Sequence, residues 1–418
     1  MMIRIHDCLA KIINSNGKLK YTAVRAWNVL GRCKYLLLYR LRYSVDEHLV
    51  LFESYAGRQY SCNPRALYEE MRDSPLYKDY KMVWAFREPE KHMYLEKYPN
   101  TKVISLRSQE YYKTCARAKI WVSNFRMRNE LKPGKNQIYL QTWHGTPLKR
   151  LGFDIEEYEG SKDGQRLLEY QYVTDVKRYS YLLGPSEFYK EKMKTAFRLK
   201  DYGKDNLFID GGYPRNDFLL KLTDQKIAEL KEKLDIPESK KVILYAPTWR
   251  ENQHIPGHGY SYKLEVDFEK WHRALGDDVL ILFRSHYLVG TSIDLKRFEG
   301  FVKNVSAYDD INDLYAVSDL LITDYSSVFF DYANLCRPIV FFMYDYDKYK
   351  NEMRGFYIEE GELPGPIVRN EDKLLETLKD YSGQGYEEIY ERFNEKYNPY
   401  RKGDGAAIVW KRLLGVQE

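Results

Sequence analysis

The chain has 418 residues, 44% of them hydrophobic and 30% charged, which is enough apolar material for two or three domains and excludes disorder over any long stretch. A formal net charge of +5 is too small at this size to indicate nonspecific nucleic-acid binding, so no nucleic-acid partner is expected. Cys8, Cys33, Cys62, Cys115 and Cys336 are scattered without a Cys-x-x-Cys spacing, which argues for a reducing compartment and against a disulfide framework or a zinc site.

Up to about Tyr43 the chain carries Lys18, Lys20, Arg25, Arg32, Lys34, Arg40 and Arg42, with Arg4 and Lys11 before them, against Asp7 alone. Trp27, Leu30, Leu36, Leu37, Leu38 and Leu41 are interleaved at roughly helical spacing. Residues 1–45 therefore read as a basic amphipathic helical lead. It suits an anionic membrane surface, where each cation is worth on the order of 1 kcal/mol. A helical hairpin packed on the protein's own core, basic face outward, is the competing reading. No run of about 18 apolar residues exists to span a bilayer, and the charged start lacks the apolar stretch of a secretory signal. Peripheral attachment is the expectation.

Beyond the lead, short apolar runs alternate with helix-like stretches, the pattern of βα units and parallel sheets. Residues 48–53, 82–86, 103–106, 120–123, 138–143 and 182–184 read as strands of a first sheet. Residues 207–210, 242–246, 279–283, 301–305, 320–323 and 339–342 read as a second. The fold class is α/β, with Rossmann-like domains over 46–203 and 204–371 and a helical tail over 372–418 that can cross back onto the first domain. A second basic run, Phe188 to Lys200, extends the basic surface in this reading. The 39 tyrosines read as half-buried residues with wet hydroxyls, some of them lining a cleft for a sugar-like or nucleobase ligand.

Ligands of such sheets bind beyond the C-terminal strand edges, and there this sequence places its reactive groups. Ser123-Asn124, His144, Pro185-Ser186, Thr248 with Arg250, Arg284-Ser285-His286, Ser306 and Thr323-Asp324-Tyr325-Ser326-Ser327 each follow a strand. Two such edges facing each other across an interdomain cleft make a GT-B-like transferase. In Trp143-His144-Gly145-Thr146-Pro147-Leu148-Lys149, the glycine allows a tight turn and Thr146-Pro147 reads as an N-cap followed by the first helical residue. That predicts a helix N-terminus beside His144, with Lys149 one turn on, suited to an anion whose reaction removes a proton from a hydroxyl.

Asp309 to Asp331 predicts a helix feeding a buried strand that stops at the Asp324-Tyr325-Ser326-Ser327 turn, whose hydroxyls and N–H groups suit a pyrophosphate. Arg284 and His286, flanking Ser285, point the same way from their strand and suit phosphate oxygens. His254 and His258 are separated by Pro256-Gly257, which forbids a shared helical metal site, and Asp345-Tyr346-Asp347 has no further ligands beside it.

Several ordered motifs resemble the CDP-glycerol glycerophosphotransferase family of teichoic acid synthesis. They are Phe52-Glu53-Ser54, Asn63 to Tyr68, Trp143 to Lys149, Tyr245 to Arg250, Arg284 to His286, Asn304 to Asp331, Arg337-Pro338 and Arg354-Gly355-Phe356. The resemblance implies a GT-B-like fold, peripheral attachment at the cytoplasmic membrane face, and transfer of glycerol phosphate from CDP-glycerol with release of CMP. It places the two essential histidines at His144 and His286 and the donor diphosphate at the serine turn. Ser285 and Tyr287 depart from the Arg-Pro-His-Pro context of many relatives.

The expected chemistry is attack of a lipid-linked acceptor hydroxyl on the distal phosphorus of CDP-glycerol, with His144 as general base. His286 and Arg284 would bind the transferred phosphate, with Lys149, Thr248, Arg250, Ser306, Asp309, Thr323, Asp324, Ser326, Ser327 and Asp331 as further substrate-binding residues. No cofactor or metal is required in this scheme. CDP-ribitol as donor, or a nucleotide sugar, are the alternatives that the sequence leaves open.

Overall fold

A computed structural model describes residues 17–155, 162–248, 254–255, 259–260, 266–285, 295–346, 355–380 and 386–415. The first sheet contains β1 (Asp46–Glu53), β2 (Lys81–Phe86), β3 (Thr101–Ser105), β4 (Ala118–Ser123), β5 (Ile138–Gln141), β6 (Tyr181–Gly184) and β7 (Phe208–Asp210). Its order is β3-β2-β1-β4-β5-β6-β7, every pair parallel. After β8 (Lys241–Ala246) comes a small antiparallel hairpin, β9 (His254–Ile255) and β10 (Gly259–Tyr260). The second sheet adds β11 (Val279–Phe283), β12 (Val302–Asn304), β13 (Leu320–Thr323), β14 (Ile339–Phe342) and β15 (Ile367–Val368) to β8, in the parallel order β12-β11-β8-β13-β14-β15.

Strands such as β11, Val-Leu-Ile-Leu-Phe, are buried at every position because helices cover both faces of a parallel sheet. In each sheet the strand order reverses beside the first strand, between β1 and β4 and between β8 and β13. That reversal opens a crevice at the C-terminal strand ends, and the loops after β1, β4, β8 and β13 line it.

The helices are α1 (Gly17–Tyr35), α2 (Cys62–Asp73), α3 (Gln109–Arg117), α4 (Lys162–Val176), α5 (Glu187–Ala196), α6 (Pro214–Leu220) and α7 (Asp224–Lys233). They are followed by α8 (Phe268–Leu275), α9 (Ile311–Val317), α10 (Val328–Tyr332), α11 (Glu371–Asp380), α12 (Glu387–Tyr397) and α13 (Gly405–Leu414). The tail returns to the first domain. Trp410 is fully buried in that domain's core, and its indole N–H donates to the Leu67 carbonyl at 2.8 Å. The Asp217 carboxylate accepts from the N–H groups of Gly405 and Ala406 at 3.0 and 2.8 Å, so a residue of α6 satisfies the open start of α13.

Two sequence expectations are corrected here. Residues 207–210 belong to the first sheet, since Leu182, Leu183 and Gly184 pair with Phe208, Ile209 and Asp210. A three-residue strand carries too little hydrophobic pattern to assign its sheet, and the crossover through α5 returns it beside β6. β7 thus lies with the first sheet, beyond the expected boundary at residue 203. The basic run 188–200 is largely core: Phe188, Tyr189 and Met193 are buried, and Lys190 is held by Asp210 at 2.9 Å and by Glu187. Its α5 face therefore packs inward, leaving Lys194, Arg198 and Lys200 outside.

The lead forms α1, which continues into a wider helical turn at Leu36–Arg40. Tyr35 is buried against Tyr39 and Tyr112, while Trp27 is 75% exposed and Leu30 66%. No described helix is long and apolar enough to cross a membrane.

Candidate active site

β5 ends at Gln141, and the chain then turns sharply so that His144 stands over the cleft. Trp143 takes a left-handed backbone, φ 52°, which costs a bulky residue on the order of 1 kcal/mol and needs outside support. That support is present. The Trp143 N–H donates to Gln141 Oε1 at 2.9 Å, and its carbonyl accepts from Thr142 Oγ1 at 3.1 Å and from the fully buried Asn63 Nδ2 at 3.3 Å.

The imidazole of His144 stacks on Trp143 with ring centres 4.6 Å apart, with Tyr55 at 5.8 Å and Phe125 at 6.3 Å. Its Nδ1 lies 2.9 Å from the Asn124 carbonyl oxygen. A carbonyl only accepts, so Nδ1 carries the proton and Nε2 is left with a lone pair. Burial pushes the ring's pKa from 6.5 down to about 4; the Asn124 hydrogen bond opposes this and the Arg215 charge adds to it. At neutral pH the ring is an uncharged acceptor.

The helix expected after Thr146-Pro147 is absent. The Leu148 carbonyl accepts from Tyr357 N–H at 2.8 Å and the Arg150 N–H donates to Gly355 at 3.1 Å, with a bridge between Lys149 and Phe356. Pairing with the second domain takes the backbone groups a helix would have used. Lys149 is thus a half-buried rung between the domains. His144 gains no helix dipole from its own loop.

Across the cleft, β13 ends in the serine turn. A methyl group built on Gly145 would stand 3.0 Å from Ser327 Oγ, so the histidine turn and the serine turn meet at a point where only glycine fits without a shift. Ser326 and Ser327 are half-buried, and the Ser327 side chain makes no capping hydrogen bond. Several other polar groups of this region are engaged by protein. Thr323 Oγ1 donates to Ala246 at 2.9 Å, and Asp324 Oδ1 accepts from the N–H groups of Thr248 and Tyr325 at 2.8 and 2.6 Å. Ser306 Oγ accepts from Ser285 N–H at 3.0 Å. Arg284 donates to the carbonyls of Val305 and Tyr308 at 3.1 and 2.8 Å, which fixes the loop after β12. These side chains shape the cleft wall. His286 and Arg250 lie outside the described residues.

Asp331 receives a two-pronged ion pair from Arg215, with Nη2 2.9 Å from each carboxylate oxygen, and a bond from Asn216 Nδ2 at 2.9 Å. Arg215 lies in the first turn of α6, and its backbone N–H donates to Asn63 Oδ1 at 3.2 Å. Beside it, Arg65 reaches Asp310 at 3.1 Å, and Asp310 also accepts from Cys62 N–H at 3.3 Å. A cavity of about 470 Å³ opens at this flank, bounded by Tyr60, Arg65, Tyr94, Tyr98, Tyr308 and Asp309. Burial raises the Asp309 carboxyl above its usual range, while His92, Arg284 and Arg65 act against that shift.

Sequence reading missed Arg215 and the partner role of Asn63. The only available signal was an arginine directly after a helix-opening proline. Among the described residues, no group of three or more His, Cys, Asp and Glu side chains is placed to hold a metal ion.

Two parallel α/β domains that close a histidine turn on a hydroxyl-bearing turn make a GT-B-like group-transfer enzyme. A profile of the CDP-Glycerol:Poly(glycerophosphate) glycerophosphotransferase family matches residues 16–415, and the chain belongs to that family. The teichoic acid poly(glycerol phosphate) polymerase of Bacillus subtilis (strain 168) is 40% identical over 88% of this chain and 48% of its own length. The teichoic acid glycerol-phosphate transferase of Staphylococcus aureus (strain NCTC 8325 / PS 47) is 39% identical over 88% of this chain and 93% of its own length. The chain thus spans about half of the first relative and nearly all of the second. The teichoic acid poly(ribitol-phosphate) polymerase of Bacillus spizizenii (strain ATCC 23059 / NRRL B-14472 / W23) is 32% identical over 60% of this chain. The wall teichoic acid polymerase TagF superposes with a TM-score of 0.82 at 34% identity, covering 96% of each chain, and its form soaked with CDPG also gives 0.82.

Proposed function

We propose that this chain transfers glycerol phosphate from CDP-glycerol to a hydroxyl of a lipid-linked, teichoic-acid-type acceptor, with His144 as general base. The observation that carries the reading is the neutral imidazole whose Nδ1–H is spent on Asn124, leaving Nε2 to accept. As the acceptor oxygen bonds to the glycerol-bearing phosphorus, its proton passes to Nε2. The phosphorus–oxygen bond toward the cytidylate breaks, and CMP leaves with the electron pair. The Ser326 and Ser327 hydroxyls, with His286 and Arg284, are the groups assigned to phosphate. A positioned base contributes roughly 10²–10⁴-fold, so His144 is indispensable in this scheme. Glycerol is favoured over ribitol by the higher identity to glycerol-phosphate enzymes.

The same reading seats α1 on an anionic membrane surface at the cytoplasmic face. Trp27, Leu30, Leu37 and Leu41 are exposed on a helical lead whose described charged residues are all basic up to Arg42. The test is His144→Gln, assayed for CDP-glycerol binding by calorimetry and for single-turnover transfer to a short synthetic acceptor. Transfer falls at least about 100-fold while donor binding stays within about threefold. Near-normal transfer by this variant removes His144 from the mechanism. Comparing CDP-glycerol with CDP-ribitol in the same assay decides the donor.

A further inference from the structure

We propose that Asn63 and Arg215 are positioning residues that lock the His144 turn to the serine turn of the opposite domain and set the electrostatic environment of the imidazole. The proposal rests on the reading of His144 as base, and it is carried by a continuous chain of contacts. Asn63 Nδ2 donates to the carbonyls of Trp143 and Thr142 at 3.3 and 3.5 Å, the residues that deliver His144. Its Oδ1 accepts the Arg215 N–H at 3.2 Å. The Arg215 carbonyl accepts from Asn312 Nδ2 at 2.6 Å, and its guanidinium grips Asp331 and donates to Cys62 Sγ at 3.2 Å. Asp331 lies on α10, the helix that the serine turn opens.

The amide of Asn63 is therefore the sole bridge, among these contacts, from the strained Trp143 peptide to α6, while Arg215 anchors α6 to the second domain. With three of its nitrogens committed to protein, Arg215 is not placed as a substrate ligand. Its Nη2 would nonetheless be 3.9 Å from a methyl group on Gly145, next to the imidazole. The described groups facing the ring are Tyr55 from the loop after β1, Asn124 and Phe125 from the loop after β4, and Arg215 from α6. Cys62 and Asp331 lie behind Arg215. Of these, Arg215 is the cation that disfavours a second proton on His144.

The two residues leave different signatures. Asn63→Ala keeps the charge and loosens the turn, so kcat falls about tenfold or more, while KM for CDP-glycerol and the His144 titration stay near wild type. The pair Arg215→Gln with Asp331→Asn removes both charges without leaving a buried one alone, and the His144 midpoint rises by about half a pH unit or more. Arg215→Lys keeps the midpoint near wild type but lowers kcat, because an ammonium does not reproduce the two-pronged pair.

The titration is read by NMR on protein labelled at histidine Cε1, with His144→Gln assigning the signal, and transfer is measured in parallel. An unchanged midpoint in the charge-free double variant overturns the electrostatic part. Wild-type kcat in Asn63→Ala overturns the positioning part. If the double variant does not fold, Asn63→Ala and Arg215→Lys still decide, since wild-type kcat in both overturns the proposal. If His144→Gln transfers normally while the midpoint shifts hold, the base assignment alone has failed.

Discussion

Lowering the pH separates an unperturbed histidine from the one in this cleft. With its pKa pushed by burial from 6.5 to about 4, His144 should be about 97% neutral at pH 5.5, whereas an ordinary imidazole would be about 9% neutral. The acidic limb of kcat/KM is therefore expected near pH 4, with activity at pH 5.5 within about 10% of the plateau. A limb near 6.5 would refute the burial argument. Stability carries the same signature. Because the unfolded chain binds the proton more readily, the contribution of the neutral ring is complete above about pH 6.5 and is lost as the pH falls toward 4. Its ceiling is about 3 kcal/mol, and less to the extent that water reaches the half-buried ring. Urea unfolding of wild type and His144→Gln at pH 7.5, 5.5 and 4.5 isolates this term, since every other group titrates in both. A difference between the two proteins that does not change with pH would show that the ring is not held neutral by the fold.

Glu53 titrates in the opposite sense. Burial raises its carboxyl from 4.5 to about 7 against the opposing Tyr111 bond, so its favourable contribution is present at low pH and lost as the pH rises through 7. Glu53→Gln should flatten the decline in urea midpoints between about pH 5 and 7; an unchanged slope across that window would place the titration elsewhere. Trp410→Ala removes a fully buried indole from the first core, and about 3–5 kcal/mol of stability should go with it. A thermal midpoint within a degree of wild type would mean that the tail helix does not dock as described. Trp27→Ser with Leu30→Ser should weaken cosedimentation with vesicles rich in anionic lipid while sparing transfer to a soluble acceptor, because both side chains point away from the core. Undiminished cosedimentation would move the membrane surface off α1.

Hydrophobic runs made the main strands legible, since a strand covered on both faces has to be apolar along its whole length. They did not show which sheet claims Phe208–Asp210, because that depends on the neighbouring strand it meets. The two polar turns were also legible, through His144-Gly145 and Ser326-Ser327 at strand ends. The error after Thr146 has a clear physical origin. Thr-Pro is a local helix signal worth about 1 kcal/mol, and the backbone bonds to Gly355 and Tyr357, some 200 residues away, outweigh it. Arg215 was invisible for a related reason. Nothing nearby in sequence identifies its carboxylate as Asp331, which lies 116 residues downstream.

The close fit of Gly145 against Ser327 fixes what the two domains must do together. The imidazole belongs to the first domain and the serine hydroxyls to the second, so the two turns are neighbours only while the domains are apposed. Arg65 with Asp310, Arg215 with Asp331, and the backbone rungs at 148–150 and 355–357 hold that apposition at separate points around the cleft. Several of these contacts are charged or backbone groups buried with partners, and Leu148 and Phe188 of the first domain also pack in the apolar core of the second, Phe188 against Tyr397 with ring centres 4.9 Å apart, so the interface favours the closed arrangement.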